Sequence, residues 1–205
     1  LEIVIFFKVD GIGITFERIF KAFLFKILLA FVFLMIEYMV GYNYLFYFME
    51  PLYGIGLSFL LLRGLPKKLL LFYGLFPMIL VNLFHRGVSY FVLPFLGQGQ
   101  VYDDYSFAWL CIIIFNFFIS LVFLKWLDYD FTNLRREILD KTFQKSLTKI
   151  NWIMGAYYLV MQSLSFFEYE QGIQSKTVRH LILVFYFLFF MGIIKKLDTY
   201  LKDKL

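Results

Sequence analysis

From Phe107 to Leu127 the chain reads FAWLCIIIFNFFISLVFLKWL, and Lys125 is the one charge in that stretch. A helix rises 1.5 Å per residue, so crossing a hydrocarbon core about 30 Å thick takes roughly 17 to 25 mainly apolar residues. This run has that length. Five more stretches meet the same test: Ile19 to Tyr38, Leu45 to Leu62, Leu69 to Phe95, Ile150 to Phe167, and Thr177 to Ile194. The pattern predicts an all-α fold, a polytopic helical membrane protein with about six transmembrane helices plus a truncated first helix, of which Leu1 to Phe7 is the tail. Leu45 to Leu62 is the weakest stretch, because Glu50-Pro51 interrupts it. With Pro at its first position it reads as a half-helix from Pro51 to Leu62. One membrane domain, residues 1–194, is followed by residues 195–205 as the start of a cytoplasmic helix.

Composition supports the same class. The chain is 61% hydrophobic and only 17% charged, whereas soluble domains average about 25% charged. A soluble chain of this length could not cover so much Phe, Leu and Ile with the polar side chains its surface needs. The net charge of +5 does not point to nucleic acid, because the Lys and Arg residues sit in short clusters between apolar runs rather than on one face. Those clusters set the orientation, since cytoplasmic loops hold the excess of Lys and Arg. Of the 20 Lys and Arg, all but Lys176, Arg179 and Arg86 fall in segments on one side, which places the carboxy-terminal end in the cytoplasm and the protein in the cell membrane. Aromatic residues mark the boundaries: Tyr38, Tyr42, Tyr44 and Tyr47 on one side, Trp126 and Tyr129 on the other. No two glycines stand four apart, so the GxxxG association motif is absent.

The inventory of reactive side chains is thin. Cys111 is the single cysteine, and His85 and His180 are the two histidines, so no disulfide framework, metal site or cofactor site is expected. His85-Arg86 is the most informative polar pair. It lies toward the outer part of the third pass, where a charge costs roughly 2.5–3.5 kcal/mol at the helix centre. Glu37 and Glu50 are the carboxylates at similar depth. Two readings stand: a structural ion pair locking three helices, or an outward-facing polar pocket in which a ligand competes for Arg86. Asp103 and Asp104 in one outer loop, with Glu168 and Glu170 in another, would draw a cationic ligand. Past the last pass, Ile194, Leu197, Leu201 and Leu205 keep helical spacing among Lys and Asp, as an amphipathic stub on the headgroups or the start of a coiled-coil seam.

Several stretches together resemble a known family: Glu50-Pro51-Leu52-Tyr53 with Leu57-Ser58, then Phe72-Tyr73-Gly74-Leu75-Phe76-Pro77, Leu83-Phe84 with Arg86, and Tyr157-Tyr158-Leu159 with Gln162 and Glu168. In order and spacing they are similar to the membrane sensor part of peptide-pheromone receptor histidine kinases of the streptococcal competence and bacteriocin type, the ComD and BlpH group. The resemblance runs from about Phe48 onward. It implies a two-component quorum-sensing receptor, a homodimer in membrane lipid, that binds a secreted peptide pheromone at the outer helix ends. The last helix, through Ile194, Leu197, Leu201 and Leu205, would pass the signal to a cytoplasmic kinase domain, and through it to a response regulator. The phosphoacceptor helix and ATP-binding domain of that family have no counterpart in these residues, so no kinase activity is expected of them. Ligand binding falls to Glu50, His85, Arg86, Asp103 and Asp104, with Glu37 as an ion-pair candidate. Two other classes remain open on the residues alone. A small transporter or channel subunit would line a path with Asn116, Ser120, His85 and Arg86. An intramembrane peptidase would pair Cys111 with His85.

Overall fold

Gly54 and Gly74 decide how the helices meet. The computed structural model describes residues 2–41, 48–92, 107–127 and 131–171, with the helical positions 184, 187, 188, 191, 192, 195 and 199; of 86–92, 107–109, 124, 126, 127, 137 and 161–171 only the backbone belongs to that set. Among the described residues all regular structure is helical: α1 (Glu2–Asp10), α2 (Phe16–Val40), α3 (Met49–Leu61), α4 (Lys67–Val92), α5 (Phe107–Leu127), a 3-10 turn (Phe131–Asn133), α6 (Leu134–Glu137) and α7 (Lys141–Gln171). Two helices are long and apolar enough to cross a membrane, Phe16–Val40 and the Lys67–His85 part of α4. The helix Met49–Leu61 and the Leu110–Phe123 part of α5 are apolar but shorter.

α4 is the hub, packing against α1, α3, α5 and α7. Its closest neighbour is α3. A methyl group built on Gly54 would stand 2.2 Å from the Gly74 carbonyl oxygen, and one on Gly74 would stand 2.6 Å from the Ile55 Cα. The two backbones therefore touch directly, which only hydrogen-sized side chains permit. The Ser58 hydroxyl, fully buried, reaches the Leu70 carbonyl oxygen at 2.8 Å. The turn between the helices passes through Gly64 at φ 96°, a left-handed value that side chains with a Cβ resist. The sequence contains the glycines, but one comes from each helix, so a motif sought along a single helix does not reveal them.

Aromatic rings carry much of the remaining core. Phe72, Phe76 and Phe131 form one cluster, with centroids 5.2 Å apart for Phe72–Phe76 and 4.9 Å for Phe76–Phe131. Pairs of this kind contribute about 0.5–1.5 kcal/mol beyond their buried area. The Tyr73 hydroxyl donates to the Phe131 carbonyl oxygen at 2.7 Å, and Asn151 of α7 donates to that of Lys68 at 2.7 Å. Phe84 and Phe123 join α4 to α5 at 5.0 Å. On α5, Ile112, Asn116 and Ser120 are buried at four-residue spacing, one stripe of the helix.

The sequence reading is refined at two places. Leu1 to Phe7 is predicted as the tail of a truncated helix, and the described part, α1, carries Ile5, Phe6, Phe7 and Val9 in the core. It stops at Gly11, φ 62°, where a Cβ would stand 2.2 Å from the Thr132 methyl carbon. The basic segment before Ile150 is predicted as a loop, yet Phe131, Leu134, Ile138, Phe143 and Leu147 are core residues, and α7 begins at Lys141. The Asp140 carboxylate caps it by accepting from the Thr142 amide at 2.7 Å, satisfying one of the free donors of the first turn. Those apolar positions are spaced three to five apart among Lys and Arg, so charge hides their periodicity.

The other helices differ sharply in how they use their apolar surface. Only 11% of the apolar window of α2 is buried, against 72% for that of α4. The contacts of α2 with the rest include the Tyr53 hydroxyl donating to the Ala22 carbonyl oxygen at 3.2 Å, the Phe25 and Tyr53 rings stacked at 5.9 Å, and Lys26 with Glu2 of α1 at 2.5 Å.

The glycine contact yields a test with an unusual sign. In an unconstrained helix, replacing Gly by Ala stabilises by about 1 kcal/mol. Gly155→Ala, whose added carbon meets no described residue within 4 Å, should raise the thermal midpoint of the detergent-solubilised chain. Gly74→Ala should lower it, by the equivalent of about 1–3 kcal/mol, because the α3 backbone has no room to give. Equal behaviour of the two variants would mean that α3 and α4 do not meet at these glycines.

Candidate functional site

The polar residues gather at two ends of the α3–α4 hairpin. At the first turn of α3 stands Glu50, half-buried, beside Pro51, whose missing amide hydrogen is no loss in a first turn. Its Oε2 accepts from the Asn82 side-chain amide of α4 at 3.1 Å. Arg86 follows one turn further along α4, on the face that carries Asn82; its side chain lies outside the described residues. His85, next to it, is half-buried and engaged. Glu37, in the last turns of α2, is half-buried and also engaged. Pro77 lies inside α4 between Gly74 and Asn82.

Of the residues expected to form the site, the structure thus brings Glu50 against the helix that bears His85 and Arg86. Asp103, Asp104, Ile194, Leu197, Leu201 and Leu205 fall outside the described residues. Asn82 is the partner that sequence reasoning passed over. Its signal was present, because an amide four residues before an arginine in an apolar helix marks one polar face. Asn116 and Ser120, weighed as path-lining groups, are buried, and the Ser120 hydroxyl donates to the Asn116 side-chain Oδ1 at 3.3 Å within α5. Cys111 is a free, half-buried thiol, and no group of three His, Cys, Asp or Glu side chains suited to a metal ion occurs among the described residues.

The second concentration lies where α3 ends and α4 begins. Arg18, Arg63 and Arg135 line one cavity of about 420 Å³ with the Gly11–Gly13 turn and Leu61, Leu62 and Leu65. Arg18 donates to the Gly13 carbonyl oxygen at 2.8 Å, and Thr15 caps α2 beneath it. The Arg135 guanidinium donates to the Asp10 carbonyl oxygen and lies 5.4 Å from the Tyr73 ring centre, within cation–π range. Its buried Nε lacks a hydrogen-bond partner, as do both carboxylate oxygens of Asp10. Burial pushes the Asp10 carboxyl well above the usual carboxylate range, and the nearby Arg135 charge offsets this only in part. Withdrawal from water disfavours the charged form, which favours a neutral acid here.

That displacement makes stability depend on pH in a defined direction. The Asp10 carboxyl binds its proton more tightly folded than unfolded, where the ordinary value is about 3.9. Its contribution is therefore fully present below about pH 4 and lost as pH rises through the elevated folded value. Thermal midpoints of the wild-type chain should fall across that interval, and Asp10→Asn, which cannot ionise, should flatten the decline. A midpoint that rises with pH in wild type, or an unchanged profile in the variant, would contradict a buried neutral acid. In comparison with known proteins, no family model, curated protein or solved structure matches this chain.

Proposed function

We propose that the chain is the membrane sensor domain of a two-component receptor that recognises a secreted peptide. In this reading it crosses the cell membrane about six times with its carboxy-terminal end in the cytoplasm, works as a homodimer, and hands its signal to a cytoplasmic histidine kinase domain. The observation that carries the reading is the Glu50–Asn82 contact between the first turn of α3 and the far half of α4, one turn before Arg86. A charged or strongly polar cluster at membrane depth is costly and is kept where it serves a ligand or a helix-to-helix lock. Its place supports the ligand. α3 spans 13 residues, about 20 Å, and the arginine-lined cavity lies at its other end, so the Glu50 end falls on the outer side when the arginines face the cytoplasm.

The exposed apolar faces support membrane residence. Phe16, Phe20, Phe23, Leu24, Ile27, Leu28, Phe31 and Leu34 of α2 all stand open, as do Phe115, Phe118 and Val122 of α5. Apolar area on that scale is stable against lipid or another apolar helix, not against water.

Signalling then follows from differential binding. A peptide that engages Glu50, His85 and Arg86 favours the helix arrangement in which those groups are best placed, and the tightly joined inner half of the hairpin holds still while the outer half adjusts. Pro77 sits at the junction, where its ring removes one hydrogen bond from the helix and permits a bend. A ligand shifts such an equilibrium only by its difference in affinity for the two states, and a 100-fold difference corresponds to about 2.7 kcal/mol.

In a receptor carrying this domain, Arg86→Ala should raise the peptide concentration needed for half-maximal response by about 100-fold, which is about 2.7 kcal/mol, while the amount of protein in the membrane stays the same. A wild-type dose response would remove Arg86 from the ligand site. The topology has its own check: a reporter joined after Leu205 should be active on the cytoplasmic side, and activity on the outer side would reverse the assignment of both ends.

A further inference from the structure

Three arginines around one cavity is the least expected feature of the molecule, and the peptide site at the other end of the hairpin makes no use of it. The three arrive from separate parts of the chain: Arg18 from the first turn of α2, Arg63 from the turn after α3, and Arg135 from α6. Among the described residues no acidic side chain lines the cavity with them. Among the described residues, the ion pairs of Lys21 with Glu17 and of Lys26 with Glu2 involve none of the three. Arg63 is exposed, while the Arg135 guanidinium is fixed by the Asp10 carbonyl oxygen on one side and the Tyr73 ring beside it. Asp10, a carboxylate behind Arg135, is withdrawn from water, and burial pushes its carboxyl well above the usual range. The cavity therefore keeps a concentrated positive charge.

We propose that this cavity binds a phosphate group, presented by an anionic phospholipid or by a soluble phosphate compound. Guanidinium groups match the geometry of phosphate oxygens in forked pairs and suit such anions better than point charges do. A volume of about 420 Å³ lies within the usual range for small-molecule sites, leaving room for a headgroup around the phosphate. The cavity opens beside apolar residues, Leu61, Leu62 and Leu65, which suit the glycerol and upper acyl carbons of a lipid. Basic recesses between helices on the cytoplasmic side are suited to acidic headgroups. Attribution to a lipid rests on the membrane orientation proposed above, whereas the phosphate chemistry does not.

The purified 205-residue chain in detergent decides the matter through thermal stability and native mass spectrometry. The probes are dioleoyl phosphatidylglycerol, dioleoyl phosphatidylcholine and inorganic pyrophosphate. Arg63→Gln is the main variant, because that side chain is exposed; Arg18→Gln is a second, and Lys141→Gln, an exposed cation outside the cavity, controls for general charge. Phosphatidylglycerol should bind and stabilise the wild-type chain, phosphatidylcholine should do so at least tenfold more weakly, and Arg63→Gln should lose at least tenfold in phosphatidylglycerol affinity while Lys141→Gln changes little. Stabilisation by pyrophosphate that is lost in Arg63→Gln supports the cavity with a soluble ligand in place of a lipid. Absence of binding by both anions, or equal losses in Arg63→Gln and Lys141→Gln, overturns the proposal. Neither result depends on a peptide response, so failure here leaves the receptor reading standing, and a silent receptor leaves this one standing.

Discussion

The contact between the Gly54 and Gly74 backbones is the constraint on which the other helices depend. Close backbone approach, dispersion and buried hydrogen bonds can each bring two helices together. The α3–α4 hairpin uses all three, through the glycines, the aromatic cluster that lines α4, and the Ser58 hydroxyl on the Leu70 carbonyl oxygen. With α4 fixed in this way, α1, α5 and α7 each have a surface to pack on. α2 is left largely uncovered.

Polar chemistry follows the same geometry. The hairpin separates its charges by the length of α3, with a carboxylate and an amide at one end and three guanidinium groups at the other. Some polar groups near the core find a partner across a helix boundary, as Asn151 does on Lys68 and Tyr73 does on Phe131, and Asp10 is pushed toward its neutral form. Unpaired charge in a low-dielectric interior would cost several kcal/mol. For Asp10 burial raises the carboxyl pKa, in the direction that lessens this cost.

How much of this was legible in the sequence depends on the range of the interactions. The helical class, and the lengths of α2 and α4, follow from local apolar runs, because helix length and hydropathy are properties of a single segment. The role of Glu50-Pro51 as a helix start followed from proline chemistry, and α3 begins two residues before Pro51. The glycine pair was not legible, because Gly54 and Gly74 are twenty positions apart and mean nothing until the helices are folded against each other. The arginine cavity was hidden for the same reason: charge sorting placed Arg18, Arg63 and Arg135 on one side, but convergence is a tertiary fact. Phe131, Leu134, Phe143 and Leu147 were masked by the basic residues between them, which marked the segment as a loop although it closes the core. Asn82 was overlooked because one amide in an apolar helix carries little weight beside the arginine that follows it.

The hairpin has a nested register. Gly54 faces Gly74, Ser58 reaches Leu70, and Gly64 sits midway between the members of each pair. A helix turns about 100° per residue, so inserting or deleting a single residue inside either helical arm between Ser58 and Leu70 would swing a bulky side chain into the place of a glycine. These arms are therefore locked in length even where individual side chains are free to vary. Changes of chain length in this region belong in the turn from Leu62 to Pro66, which can absorb them without rotating either helix.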